Sequence, residues 1–341
     1  MTARELLKRT VLVRTALGSN NRHYVYKPSV DEGYIKKFNY VQHDIKVLQF
    51  ANDEMGLISD CFILYALAHL GIADKESISL FIRALSKKNP DLSLAAHDNM
   101  EAMDTRIRAM MKCGLLFNIR YEALVEYPDR GVATDIVSLF TLNDDAYNIM
   151  KQKTQRRISV NSWIAAKSMN ELIGWAAAGY IGVHIAQNDA FVDYLDRVLR
   201  TKMLGSVYLP CELLTCIGDD RFYVAIISAY LFRDKRMQTK RDYQDICAFK
   251  LNTIKNYLSV RTTKGMAILV IAVSDNTDLM EITQMIVRNQ FLNDYLSYIY
   301  FTGEGAFRSS GNIRNCFLQV ILDSKSDKGY EIVSADPIFM V

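Results

Sequence analysis

The segment DNMEAMDTRIRAMMKCGLLFNIRYEALVEY, residues 98–127, decides the fold expected for the first half of this chain. Its apolar residues recur three and four positions apart, which predicts an amphipathic helix that stops at Gly114. An extended strand follows at once and runs to Tyr127. The helix has a core face of Met103, Ile107, Met110 and Met111 and an outward face of Thr105, Arg106, Arg108 and Lys112.

Two helices are predicted before this segment. The first covers residues 57–71, and its stretch DCFILYALAHLG, 60–71, is apolar nearly all round, which is typical of a core helix. Asp74 is predicted to be the N-cap of a second, amphipathic helix. That helix ends before Pro90, because the residue preceding a proline avoids helical geometry. Its core face consists of Ile78, Phe81, Ile82 and Leu85.

A returning strand is predicted after the opening segment. Pro128 and Gly131 favour a turn, since proline presets φ and glycine accepts positive φ. Residues 134–142 form the strand, and Asn143 caps a further helix. The order helix, helix, helix, strand, turn, strand, helix is that of a winged helix-turn-helix, predicted over residues 57–153.

The second half of the chain predicts a separate α/β domain. The basic run KQKTQRR, 151–157, favours a boundary, although phosphate contact is an equally good interpretation. We expect a basic N-terminal arm and lead-in helix over 1–56, with a short strand at 24–26, the winged helix over 57–153 and an α/β domain over 154–341. Further predictions are helices at 159–178, 188–203, 243–258 and 278–289, a loop at 303–306 and 309–311, and strands at 206–217, 221–231, 267–274, 294–301, 316–322 and 330–334.

Composition places the chain among folded soluble proteins. Of its 341 residues, 50% are hydrophobic and 23% charged. The net charge of +3 permits nucleic-acid binding without requiring it. The longest apolar run, 172–186, is short for a membrane span and predicts a buried core helix or a helix-to-strand segment. We expect a cytoplasmic protein without a membrane segment, since no signal peptide is visible.

No catalytic or metal-binding motif can be assembled from the sequence. The six cysteines form no C-x-x-C pair, and we expect buried free thiols in a reducing compartment. His69 and His184 lie in apolar segments, which indicates core residues rather than ligands. No Ser-His-Asp set and no phosphate-binding loop is present, so neither a cofactor nor a metal is predicted.

Several pieces of the sequence, in this order, resemble a known family. They are TRIRAMMKCGLL (105–116), FTLNDDAY (140–147), RFYVAIISAYL (221–231), KLNTIKNYL (250–258) and AILVIAVSD (267–275). Over about residues 57–290 the chain resembles the replication-relaxation family of Gram-positive plasmids and integrative elements. The resemblance implies a winged-helix domain followed by an α/β sandwich similar to the PD-(D/E)XK nuclease fold.

The nuclease chemistry of that fold is not expected here. A PD-(D/E)XK site needs an Asp on one strand and a Glu-x-Lys pair on the next, which hold a divalent metal that activates water. The first strand offers Glu212, and the turn offers Asp219 or Asp220. Residues 225–229 of the second strand carry neither carboxylate nor lysine. We therefore predict no enzyme, and a C-terminal domain that forms a homodimer, binds a partner or contacts further DNA.

The predicted partner is double-stranded DNA of a mobile genetic element, in replication, transfer or transcriptional control. Arginine reads guanine edges or pairs with phosphate, whereas threonine and lysine more often contact phosphate. A solvated helix face is the alternative interpretation of the same side chains. A protein assembly module, or a divergent nuclease using Glu212 and Asp219, is the alternative function. The predicted contacts are Thr105, Arg106, Arg108 and Lys112 on the helix, Arg120 on the strand and Arg130 at the turn.

Overall fold

The computed structural model divides into two compact units. The N-terminal unit comprises residues 16–123 and 135–172, and the C-terminal unit comprises 1–15, 124–134 and 173–341. The domain bounds predicted from the sequence stay predictions. The structure describes residues 15–16, 24–26, 62–64, 66–67, 70–88, 100–112, 115–127, 131–142, 169–187, 192–196, 202–204, 207–209, 213–217, 222–229, 252, 256, 266–273, 276–288, 290–310 and 312–339.

Two helices and a strand hairpin are described in and around the segment 98–127. The strands β1 (Thr15–Ala16) and β2 (Tyr24–Tyr26) pair with β3 (Leu116–Tyr127), which also pairs with β4 (Gly131–Leu142). The helices are α1 (Lys75–Lys88) and α2 (Met100–Lys112). The predicted helices, the short strand at 24–26 and the two strands of the hairpin are confirmed, whereas β1 was not predicted and β4 begins at Gly131, three residues before the predicted start. The turn at 128–130 and the helix after Asn143 lie outside the described residues.

Residues 71–73 attach the start of α1 to the hairpin. The chain leaves the first core helix through Gly71, whose φ of 76° is readily adopted by glycine. Ala73 and Phe140 of β4 form a two-way backbone bridge, with N···O distances of 3.1 and 2.8 Å. Thr141 Oγ1 donates to the Gly71 carbonyl at 2.7 Å. This short bridge therefore adds a further strand position beside β4.

Asp74 caps α1, as the sequence predicts. Its Oδ1 accepts hydrogen bonds from the Ser77 backbone N–H at 2.8 Å and from the Ser77 hydroxyl at 2.7 Å. Ser77 is buried, so water cannot replace these bonds. The carboxylate thus satisfies one of the N–H groups that a helix start leaves without an intrahelical acceptor.

We expect Asp74→Ala to lower the free energy of unfolding by about 1–2 kcal/mol, because two buried donors lose their acceptor. Urea denaturation followed by circular dichroism measures the change. Asp74→Asn, which keeps a side-chain oxygen, is the matched control and is expected to lose less. Equal losses in the two variants would contradict the cap assignment.

The C-terminal unit is built on a seven-stranded sheet. The strands of this sheet are β5 (Val192–Asp196), β8 (Leu213–Ile217), β9 (Phe222–Ser228), β10 (Met266–Ala272), β11 (Ile299–Thr302), β12 (Phe317–Leu322) and β13 (Tyr330–Ala335). Two further strands, β6 (Lys202–Leu204) and β7 (Val207–Leu209), pair with each other in a separate sheet. The order is β13-β12-β11-β10-β9-β8-β5. Strands β9, β10 and β11 are parallel, and the other neighbours are antiparallel. Helices and mixed sheets together make the chain α/β overall.

Helices accompany this sheet along the chain. They are α3 (Met169–Gln187), α4 (Asn276–Arg288) and the short α5 (Glu304–Ser309), with 3-10 helices at Gln290–Tyr298 and Ile313–Cys316. The apolar run 172–186 lies in α3 and is confirmed as a largely buried helix, with Trp175 in its core. Residues 252 and 256 are helical, and the rest of the predicted helix at 243–258 lies outside the described residues.

The central strand β10 is buried on both faces, as its continuous apolar run predicts. Ile268 and Val270 lie on one face and Leu269 and Ile271 on the other, and all four are buried. The second face joins a cluster that includes Leu279, Ile282 and Ile286 of α4. Parallel strands need such double cover because helices cross over their faces. The cluster also contains Leu292, Leu296, Phe301, Leu318, Val320 and Tyr330.

Two predictions in the C-terminal half are wrong because tertiary packing overrides local propensity. The predicted helix at 188–203 contains the strands β5 and β6, and β5 pairs with β8. The predicted strand at 294–301 is a 3-10 helix to Tyr298, and only then does β11 begin. Leu292 and Leu296, four positions apart, are both buried in the core, which is helical spacing.

Two other boundaries also differ from the sequence expectation. The predicted loop at 303–306 and 309–311 contains α5, in which Glu304 and Arg308 form an ion pair one helical turn apart. The predicted strand at 206–217 contains two strands, β7 and β8, which belong to different sheets. Proline at position 210 lacks the N–H that a continuous ladder would need.

Candidate nucleic-acid interface

The helix α2 presents its polar side to solvent, as predicted. Met103, Ile107 and Met110 are buried, and Met111 is half-buried. Thr105 and Arg108, three positions apart on the opposite side, are exposed, and the Arg108 side chain keeps 73% of its accessible surface. These two outward positions therefore lie on the solvent-exposed side of α2.

Asp104 lies between two basic side chains. Its carboxylate forms ion pairs with Lys75 Nζ at the start of α1 and with Arg108 Nη2 at 2.8 Å. The hydrogen bond from Lys75 is the main cause of a lowered Asp104 pKa, and the charges of Lys75 and Arg108 lower it further against burial, which raises it. The carboxylate stays ionised and holds α1 against α2. With two cations around one anion, the group keeps a net positive charge.

The strand β3 exposes a basic residue where its buried part ends. Residues 115–119 are all buried, and Arg120 is exposed. Arg120 stands opposite Tyr24 in the antiparallel pairing of β2 with β3. The arm strand predicted at 24–26 thus runs directly beside the exposed arginine.

The predicted contact residues are only in part described by the structure. Thr105, Arg108 and Arg120 are exposed, and Arg106 is half-buried and engaged in an interaction of its own. Lys112 ends α2, but its side chain and all of Arg130 lie outside the described part. Their contact with DNA stays a prediction.

A second polar cluster lies in the C-terminal unit and was missed by the sequence reasoning. Arg308 donates from Nε and Nη2 to Glu304 Oε1 at 2.9 and 2.6 Å, and the two side chains are 14% and 10% exposed. The Arg308 guanidinium carbon lies 4.1 Å from the Tyr180 ring centroid, a cation–π contact. The spacing of four between Glu304 and Arg308 was the only signal available in the sequence.

His184 belongs to the same cluster. Its ring lies 4.5 Å from the Tyr180 ring and 5.5 Å from that of Phe307, between centroids. Its Nε2 is buried and has no hydrogen-bond partner within the described part of the chain. Burial first, and then the Arg308 charge, lower the pKa of His184 to about 4, with Glu304 opposing. His184 is therefore neutral at pH 7, in line with a core residue.

Cys316 is a buried free thiol, as expected for the cysteines. Its Sγ donates to the Ala306 carbonyl at 3.3 Å, and burial raises its pKa to about 11. A protonated thiol is a poor nucleophile. Among the described residues, no group of three or more His, Cys, Asp or Glu is placed to hold a metal ion. The carboxylates Glu212, Asp219 and Asp220 lie outside those residues.

The chain matches no protein-family model, no curated protein and no solved structure. Within the described part of the chain, no helix is both long enough and apolar enough to cross a membrane.

Proposed function

We propose that this chain binds double-stranded DNA through α2 and the adjoining hairpin, and serves replication, transfer or transcriptional control of a mobile element. The observation that carries the proposal is the exposed face of α2. Thr105 and Arg108 are exposed there, and the carboxylate of Asp104 is paired with Lys75 and Arg108. A phosphate backbone approaching the group formed by Lys75, Asp104 and Arg108 meets net positive charge.

The order of the N-terminal elements supports a winged helix. A buried helix, a short bridge at Ala73, α1, α2 and the β3–β4 hairpin follow one another along the chain. The bridge places the residue after the first helix beside the returning strand of the hairpin. In a helix-turn-helix, the second helix of the pair enters the major groove, and α2 takes that role here.

The C-terminal sheet is compatible with the nuclease-like domain that the resemblance implies. Antiparallel β5, β8 and β9 are followed by parallel β10 and β11, with helical residues at 252 and 256 between β9 and β10. Neither β8 nor β9 contains a carboxylate or a lysine. A role in binding or assembly therefore fits this domain better than hydrolysis.

The assembly-module alternative would need apolar surface on α2. The exposed positions described on this helix are Thr105 and Arg108, which are polar. This composition favours a polyanion over an apolar protein surface, because charged residues are depleted from the centres of protein interfaces.

We expect the Arg106→Ala, Arg108→Ala double variant to bind a mixed-sequence duplex more weakly in a gel-shift salt series. If both side chains contact phosphate, the slope of log K against log [salt] should fall by about 2, because each contact releases about 0.9 counterion. The matched control is Arg288→Ala, Lys325→Ala, which removes two exposed positive charges from the C-terminal unit.

The control is expected to keep the salt slope of the unaltered protein. Circular dichroism of both variants establishes that each is folded. Unchanged affinity and slope in the folded α2 variant, or an equal loss in the control, would exclude α2 as the DNA-binding element.

A further inference from the structure

The ion pair between Asp104 and Arg108 uses only a small part of the arginine's capacity to donate hydrogen bonds. Arg108 Nη2 donates to Asp104 Oδ2 at 2.8 Å, and within the described part of the chain the guanidinium makes no other hydrogen bond. A guanidinium carries five N–H groups in a planar fork. One bond from Nη2 therefore leaves a pair of parallel N–H groups, either on Nη1 and Nη2 or on Nε and Nη2. The side chain is 73% exposed, so a partner can reach this pair.

The carboxylate that Arg108 contacts is held in place by another helix. Lys75, the first residue of α1, pairs with Asp104 Oδ1, and Arg108 takes Oδ2. A pair of two mobile surface side chains gains little, because ordering both of them costs entropy. Here the Asp104 side chain is only 23% exposed and is already fixed by Lys75. The direction of the Arg108 guanidinium is thus set from α1 through Asp104.

Another ion pair with the same spacing of four is built differently. Arg308 donates to Glu304 Oε1 from both Nε and Nη2, and its side chain is only 14% exposed. That contact uses two parallel N–H groups of the guanidinium at once. The contact of Arg108 uses one nitrogen and lies on the surface. Asp104 therefore orients Arg108 and still leaves it a fork of donors.

We propose, resting on the DNA-binding function proposed for α2, that Arg108 contacts a guanine base in the major groove and that Asp104 positions its guanidinium for this contact. Two parallel N–H donors match O6 and N7 of guanine, and no other base presents two adjacent acceptors in the major groove. Phosphate, in contrast, is bound by lysine as a point charge as well as by arginine. The partner is thus a duplex with a guanine facing the middle of α2.

A carboxylate beside Arg108 has a reason in this scheme. An arginine that is ordered before DNA arrives loses less side-chain freedom on binding. The bond to Asp104 also keeps the guanidinium from turning towards a phosphate, so a site without guanine leaves its donors unmatched. Unmatched donors in a desolvated interface are unfavourable. Asp104 therefore weakens binding to DNA in general and raises the preference for sites with guanine.

A selected duplex containing 7-deazaguanine tests the contact. The full chain first enriches a sequence from a pool of duplexes with a random central segment. Each guanine of that sequence is then replaced in turn by 7-deazaguanine, which lacks N7 but keeps Watson–Crick pairing. We expect one replacement to raise the Kd of the unaltered protein about tenfold, because a bidentate contact loses one of its two acceptors.

Lysine at position 108 isolates the role of the fork. Arg108→Lys keeps a positive charge but has no pair of parallel donors, so its Kd ratio between the two duplexes should fall close to one. Arg288→Lys is the matched control, because Arg288 is an exposed arginine of the C-terminal unit. This control should keep the ratio of the unaltered protein.

Variants at position 104 separate positioning from folding. Asp104→Ala should lower the same Kd ratio, and it should bind a duplex without the selected site more tightly because a negative charge near phosphate is gone. A merely structural role would weaken binding to both kinds of duplex. Asp104→Asn keeps an oxygen acceptor and should retain more of the ratio. Circular dichroism establishes that each variant is folded.

The outcomes distinguish a failure of guanine contact from a failure of DNA binding. If the unaltered protein binds no duplex, both proposals are overturned. Binding without an enriched sequence, or with one that is insensitive to 7-deazaguanine, rejects the guanine contact alone. A ratio that persists in Arg108→Lys assigns the guanine to another residue. A ratio that persists in folded Asp104→Ala rejects the positioning role of Asp104.

Discussion

Replacing Phe317 with alanine is expected to lower the free energy of unfolding by about 3–5 kcal/mol. Phe317 begins β12 and is completely buried. Its ring meets those of Tyr300, Phe307 and Phe339 at centroid distances of 6.2, 5.6 and 5.6 Å, each nearly perpendicular. Edge-to-face pairs contribute about 0.5–1.5 kcal/mol each beyond the apolar area they bury.

The size of this effect follows from the position of the ring between layers. Phe307 belongs to α5, Tyr300 to β11, and Phe339 follows β13. Removing the Phe317 ring leaves a cavity that helix and strands cannot close together, because each is held by other contacts. One deletion therefore weakens several elements at once.

Chemical denaturation monitored by near-ultraviolet circular dichroism measures the loss. Ile321→Ala on the same strand is the matched control, since Ile321 is 41% exposed and loses little burial. We expect at most about 1 kcal/mol from it. Similar losses in the two variants would show that the aromatic cluster does not carry the stability assigned to it.

The second large effect is expected on acidification, through His184. Its pKa lies at about 4 in the folded protein, against an ordinary value of 6.5. As the pH falls below 6.5, the unfolded chain binds a proton and the folded chain does not, so stability falls. The loss grows until the pH passes about 4, where the folded state also takes up the proton.

The difference between the folded and the ordinary pKa corresponds to about 3 kcal/mol of unfolding free energy. The loss in the protein is expected to be smaller, because part of the ring is in contact with solvent. The nearby charges act in opposite directions, with Arg308 disfavouring and Glu304 favouring the imidazolium. His184→Phe removes the titration and keeps a ring against Tyr180 and Phe307.

Unfolding free energies of both proteins, measured from pH 7.5 to 4, isolate the contribution of His184. Carboxylates titrate in both proteins alike, so the difference between the curves reports the histidine. We expect His184→Phe to gain stability relative to the unaltered chain as the pH falls. Parallel curves would mean that His184 titrates normally and is not buried as described.

Much of the N-terminal unit could be predicted because its signals are local. Asp74 caps α1 through a side chain that reaches only three residues ahead. The α2 stripe of Met103, Ile107 and Met110 follows helical spacing within a single segment. Capping and amphipathic spacing depend on neighbours in the sequence, so no knowledge of the fold is needed to recognise them.

The candidate interface was predicted less completely. The outward positions Thr105 and Arg108 follow from the same spacing that places the core residues. The ion pair between Lys75 and Asp104 does not follow from this spacing, because the two residues belong to different helices and the sequence does not show how those helices pack. That ion pair makes a carboxylate, which by itself would repel phosphate, part of a cluster with net positive charge.

The sequence by itself determined the amphipathic helix α2, the cap of α1, the hairpin strands and the buried central strand β10. Only the tertiary structure decided that residues 290–298 are a 3-10 helix, that β5 is a strand, and that His184 lies beside Arg308. The physical reason is the range of the interactions. Caps and periodicity act within a few residues, whereas sheet pairing and charge burial arise only when distant segments meet.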